Sequence, residues 1–305
     1  MYYKYEVSSG ILDAIDNLGE FYFQIVLREN MPFILGDCYF VVKKYHNQDC
    51  HISDSLQISY YSERDNQNEA MRKIKVALEF FVYLTGIPYN IEGGMTKSIV
   101  DSRPIIDINK SKRKLLKIQE TETAYQRIRK KRKLLESTLQ LYNLGIRLNI
   151  LFGDENCEDA FFTFFKIIEK IVADTFEIEK AGIDRGKEET KECLERILSR
   201  TYNIQITEEK LTGFSGEISN YIFNIVFGDN YYRIMWFCQK YNISVDCNII
   251  SKLVVIRNKI AHAEKVTISG DEYAYIMKLT REVINAKFFS KKPLIIDSKI
   301  INIYE

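Results

Sequence analysis

From Tyr2 to about Tyr61 the apolar positions fall in short aromatic or β-branched runs: Phe21 to Leu27, Phe33 to Lys44 around Gly36, and Leu56 to Tyr61. Runs of this length divided by polar turns predict strands of a small sheet. After Asn66 the period changes, and Met71, Ile74, Ala77, Leu78, Phe81 and Val82 recur at intervals of three and four. That spacing predicts a helix able to cover one face of the sheet, and an α+β N-terminal domain over residues 1–90. From Asn90 to about Lys112 the chain carries Gly93-Gly94 and Pro104 with few periodic apolar positions, which predicts a loop. Residues 91–120 are accordingly expected to be a linker and basic connector.

Beyond it the helical period dominates. Leu134, Leu135, Leu139, Leu141 and Tyr142 predict a helix as far as Phe152. A second is announced by Asn156 with Asp159 three residues on, and Phe161, Phe165, Ile168, Val172 and Phe176 form one stripe along it, with Glu169 at the stripe's edge. Further helices are expected at about Glu188 to Arg200, Gly216 to Phe227, Asp229 to Tyr241, Asp246 to His262 and Asp271 to Phe289. The last opens on a capping box, Ser269-Gly-Asp-Glu272. A strand-like pattern returns only at Leu294 to Ile303. The expected fold is therefore an α+β N-terminal domain followed by an all-α helical bundle over 121–290 and a tail over 291–305, predominantly helical overall.

A chain of 305 residues with 46% hydrophobic and 13% aromatic content accommodates two packed domains. Its six cysteines are scattered without a Cys-x-x-Cys pair, and Met1-Tyr-Tyr-Lys-Tyr-Glu is no signal peptide, so a soluble protein in a reducing cytoplasm is expected. The longest nearly apolar stretch, Val76 to Ile87, contains Glu79 and is far short of the roughly 20 residues that span a bilayer, so no membrane partner is expected.

The formal net charge of +1 conceals an uneven distribution: residues 109–133 hold eleven Lys and Arg against two Glu. The centre of this excess is Arg127, Arg129, Lys130, Lys131, Arg132 and Lys133, expected to open the long helix that runs to Phe152. Such a cluster is a solvated helix face, a phosphate-contacting patch that gains from counterion release, or a targeting signal.

His262 is one of three histidines and therefore a candidate for proton transfer near neutral pH. It closes the hexapeptide Arg257-Asn258-Lys259-Ile260-Ala261-His262. On a helical wheel Ile249, Leu253, Ile256 and Ile260 cluster on one face, the predicted core side. Asn258 and His262, four apart, fall nearly opposite, sharing their face with Ser251, Val254 and Val255. A helix apolar on two sides is expected to be covered on the second by another helix or by a second copy of the chain. Arg257 projects between the faces, within reach of Glu169, the acid at the edge of the aromatic stripe.

Arg-Asn-x-x-x-His at the end of a helix in a C-terminal bundle resembles the signature of the HEPN superfamily of ribonucleases and RNA-binding domains. The resemblance covers roughly Thr121 to Phe289 and leaves the N-terminal domain outside it. It implies a dimer in which two motifs share one cleft, and metal-independent endoribonuclease activity without a cofactor. Arg257, Asn258 and His262 would be catalytic and Glu169 would position Arg257. It also implies RNA as partner, a 2′,3′-cyclic phosphate and a 5′-hydroxyl as products, and a toxin or antiviral defence setting. Two alternatives stay open: a non-catalytic RNA-binding and dimerisation module, and a helix that His262 simply ends where a cation favours the C-terminal dipole. The N-terminal strands offer no chemical constellation and are compatible with a sensor, a specificity module or a surface for a regulatory partner.

Other signals are weaker. Cys38, His46, Cys50 and His51 match no familiar zinc spacing, and His46 to His51 has the look of a polar hairpin loop. Gly213-Phe-Ser-Gly216 is too short to cradle a nucleotide, and Gly-x-Ser-x-Gly is absent.

Overall fold

The computed structural model describes residues 1–11, 32–46, 52–86, 88–105, 122–128, 131–152, 157–179 and 183–289. Among the described residues five strands, β1 (Tyr2–Ile11), β2 (Pro32–Leu35), β3 (Cys38–His46), β4 (Ile52–Ser62) and β5 (Tyr89–Val100), form one antiparallel sheet in the order β2-β3-β4-β1-β5. The helices are α1 (Gln67–Thr85), a short α2 at residues 122–127, α3 (Arg132–Phe152), α4 (Cys157–Glu179), α5 (Ile183–Thr201), α6 (Glu208–Gly228), α7 (Asn230–Lys240), α8 (Cys247–Ala261) and α9 (Gly270–Phe288). The chain divides into two compact units, Met1–Phe164 with Met277–Glu305, and Phe165–Ile276, and the divisions fall inside α4 and α9.

In the first unit, period-two alternation buries Tyr5, Val7 and Ser9 of β1, Leu56 and Ile58 of β4, and Phe33, Leu35, Cys38 and Phe40 of the β2–β3 hairpin. Helix α1, capped by the Asn66 side chain on Glu69 N–H at 3.0 Å, covers that face with Ile74, Ala77, Leu78, Phe81 and Val82. Phe81 centres the core, its ring 5.9 Å from Phe33, 5.6 Å from Phe40 and 5.4 Å from Tyr89. The β2–β3 turn is two residues, Gly36 and Asp37, both left-handed at φ 61° and 67°, as a tight hairpin demands. Gly36 is constrained twice over, because a Cβ there would stand 2.9 Å from the α1 backbone at Ala77. Leu135, Leu139 and Tyr142 of α3 are buried as well, and α3 packs on α1.

Two expectations are corrected here. The segment read as a loop from Asn90 is β5 as far as Val100, an edge strand paired along β1. Gly93-Gly94 lies opposite the register shift between Glu6 and Ser8, with Gly93 at φ 68°, so the glycines accommodate a bulge rather than end a strand. Nor does the basic cluster open one long helix: Arg127 ends α2, Ile128 lies outside it, and α3 begins only at Arg132. The strand expected at Phe21 to Leu27, the cap at Asn156 and the strand-like tail at 294–303 lie outside the described residues.

The second unit holds the later part of α4, then α5 to α8 and the start of α9. Consecutive helices pack in pairs, α5 on α6, α6 on α7 and α7 on α8. The predicted stripe of α4 is buried, and Phe176 meets Trp236 edge-on at 5.8 Å. Asp229 caps α7 at Tyr231 N–H, 2.7 Å, and Asp246 caps α8 at Asn248 N–H, 2.8 Å. The box before α9 is reciprocal: Ser269 N–H donates to Glu272 Oε2 at 2.9 Å and Glu272 N–H donates to Ser269 Oγ at 3.3 Å. No helix of the described residues is long and apolar enough to cross a membrane.

Candidate functional site

Helix α8 presents Ile250, Leu253, Val254 and Ile256 inward, while Ile249 and Ile260 are half-buried at the margin. The core face is thus rotated by about one residue from the predicted one, and Val254 belongs to it rather than to the outer face. The outer face is Ser251, Val255, Asn258 and His262, all exposed, with Val255 49% exposed. This stripe at i, i+4, i+7 and i+11 keeps the polar pair on one line.

Arg257 stands between the faces. Its Nη2 meets Glu169 Oε1 of α4 at 2.8 Å, and both side chains are about three-quarters buried. The same carboxylate oxygen accepts from Asn230 Nδ2, the first residue of α7, at 2.7 Å. Arg257 Nη1 donates to Asn258 Oδ1 at 3.2 Å. Three helices therefore fix one guanidinium: α4 supplies the counter-charge, α7 holds the carboxylate, and α8 carries the cation and passes its second nitrogen to the neighbouring amide. Asn230 was not legible in the sequence, where its only sign was its place beside the helix cap Asp229.

His262 is the C-cap residue, one turn beyond Asn258, a rise of about 6 Å along the axis. Its N–H donates to Asn258 O at 3.0 Å, and α8 closes with a Schellman arrangement: Glu264 N–H to Lys259 O, 3.0 Å, and Ala263 N–H to Ile260 O, 3.0 Å. The residue in the left-handed position is Ala263, φ 57°, where glycine is usual. This lock fixes the end of the helix where His262 leaves it, with the imidazole in solvent.

The described residues of the basic cluster point in different directions. Arg129 and Lys130 lie outside the described residues. Arg132 turns inward: its guanidinium covers the Tyr125 ring at 4.6 Å and donates to Gln126 Oε1 at 3.1 Å. Glu122 of α2 accepts from Gly36 N–H at 2.5 Å and so holds α2 to the β2–β3 turn, while Lys73 of α1 pairs with Asp37 of the same turn at 2.6 Å. Arg127 and Lys133 are exposed, and Lys131 is half-buried.

Cys38 is buried in the sheet core, where burial pushes its thiol up. His46 is the last residue of β3, and Cys50 and His51 lie outside the described residues. Gly213 to Gly216 is continuous helix in α6, beside a pocket of about 530 Å³ lined by Lys210, Phe214 and Glu217 among others. A comparison with protein-family models, with curated proteins and with solved structures finds no match for this chain.

Proposed function

We propose that this chain is a metal-independent endoribonuclease of HEPN type, cleaving RNA by attack of the ribose 2′-hydroxyl in a toxin or antiviral defence setting. The observation that carries the reading is the relay Glu169–Arg257–Asn258, which ends one helical turn from an exposed His262. Strong cations are fixed by carboxylate pairing where a charge must meet them in one orientation.

His262 takes the proton of the 2′-hydroxyl, the 2′-oxygen bonds to phosphorus, and the bond to the 5′-oxygen breaks as a second acid returns a proton to it. The products are a 2′,3′-cyclic phosphate and a 5′-hydroxyl. Arg257 neutralises charge on the pentacoordinate phosphate, and Asn258, whose Oδ1 is occupied by Arg257, offers its Nδ2 to a phosphate oxygen. In a homodimer joined along the Ser251, Val255, Asn258 and His262 face, the second His262 serves as the acid. The 49% exposure of Val255 on that face supports such a partner.

The test is cleavage of single-stranded RNA by the purified chain in EDTA, with end-group analysis of the products. His262→Ala and Arg257→Ala are expected to lower the rate at least about 100-fold while leaving folding intact. Undiminished cleavage by His262→Ala overturns the site assignment. RNA binding without cleavage by the wild type assigns the non-catalytic alternative.

A further inference from the structure

Helix α6 has two differently made sides. Leu211 and Ser215 are buried, and Ser219 Oγ donates to Thr190 Oγ1 of α5 at 3.1 Å, so this side packs on α5. Lys210, Phe214, Glu217 and Tyr221 fall at i, i+4, i+7 and i+11, on a separate line that faces away from α5. All four are exposed, Phe214 by 50% and Tyr221 by 68%. A solvated helix face does not ordinarily align two rings of that exposure, and such a line marks an interaction surface.

The shape and the charges of this line are both informative. Gly213 lies in the interior of α6, where glycine is an unfavourable helix residue, yet a Cβ there would meet nothing within 4 Å. No neighbour among the described residues therefore requires glycine at 213, and its missing side chain leaves a notch beside the Phe214 ring. A groove of about 530 Å³ runs along it, lined by Ile206, Lys210, Gly213 and Phe214 among others. Lys210 and Glu217 flank Phe214 with opposite charges, and neither forms an ion pair among the described residues. By contrast Glu208, the first residue of the same helix, is held by Lys191 of α5 at 3.0 Å.

Opposite charges on either side of an exposed ring make the line complementary to itself. We propose that it is an interface with a second copy of this chain, the two α6 helices running antiparallel about a two-fold axis between positions 213 and 214. That axis sets Lys210 against the second copy's Glu217, and Glu217 against its Lys210. It places Phe214 over the second copy's Gly213, where the absent side chain admits the ring, and Tyr221 over its Ile206 in the groove. The ion pairs fix the register and the rings supply the buried apolar area. No residue of the α8 motif takes part, so the interface stands independently of the nuclease reading, and a chain that uses both faces assembles beyond a dimer.

The test is sedimentation velocity of the full chain carrying Val255→Glu, which sets a charge on the α8 face and removes that face from any association. Over about 1–100 μM this chain is expected to pass from monomer to dimer. Lys210→Glu and Glu217→Lys, each added singly, are expected to weaken the dimer at least about 10-fold, because each sets like charges together twice across the axis. A 1:1 mixture of the two is expected to regain the dimer, since every facing pair is then opposite in charge. Phe214→Ala is expected to weaken it as well. If a single reversal does not fold, the double exchange Lys210→Glu/Glu217→Lys carries the test, because it restores both pairs and must associate. A chain that stays monomeric throughout overturns the proposal. So does a dimer indifferent to the single reversals, or a mixture or double exchange that fails to associate.

Discussion

Arg257 of α8 and Glu169 of α4, 88 positions apart in the chain, meet at 2.8 Å, and Asn230 holds the same carboxylate oxygen from a third helix. Glu169→Gln leaves a three-quarters-buried guanidinium without its counter-charge. The expected cost is about 1–2 kcal/mol of stability, between the values for exposed and for fully buried pairs. In the proposed nuclease the kcat for RNA should fall about 10-fold or more with a smaller change in KM, because Arg257 loses its aim rather than its charge. Urea unfolding and steady-state cleavage measure the two effects separately.

Ala263 occupies a left-handed position that glycine holds without strain. Ala263→Gly is expected to raise stability by about 0.5–1 kcal/mol, partly offset by the greater freedom of glycine in the unfolded chain. The check is the denaturant midpoint, which should move up with an unchanged slope.

At Gly36 the sign is reversed. A methyl group meets the α1 backbone at 2.9 Å and the residue must remain at φ 61°. Gly36→Ala should cost about 2–4 kcal/mol and loosen the β2–β3 hairpin, seen as lost amide-exchange protection at Leu35 and Cys38.

Glu79 of α1 supplies a pH dependence. Burial first, then the charge of Glu136, with Lys75 opposing, push its carboxyl up from 4.5 to about 7. The folded state thus holds this proton more tightly than the unfolded chain does. Its contribution is complete below pH 4.5 and is lost as the pH rises through about 7. Glu79→Gln should remove that decline and add about 1–2 kcal/mol at pH 8, a figure reduced for the group's partial exposure. Stability curves of the wild type and variant at pH 4.5 and pH 8 make the comparison, and parallel curves would show that Glu79 does not titrate as described.

The elements legible in the sequence are those whose signal is local. The α4 stripe from Phe161 to Phe176 and the box at Ser269 each stand within a few residues of what they act on, and each occupies its expected place. The β5 strand was illegible for an equally physical reason. Glycine reads as a turn when seen alone, and only pairing with β1 shows that Gly93 serves a bulge. Charge count says nothing of direction either: Arg132 turns onto Tyr125 while Arg127 and Lys133 face solvent.

By itself the sequence determined the run of long helices from α3 to α9, the hexapeptide Arg257 to His262, and the pairing options of Glu169, because periodicity, capping and side-chain length act over a turn or two of chain. Only the tertiary structure decided which face of α8 is core and that Asn230 shares Glu169 with Arg257. Those facts depend on which distant helices meet and on how each is rotated about its axis, and a shift of a single residue exchanges Val254 for Val255 between core and solvent.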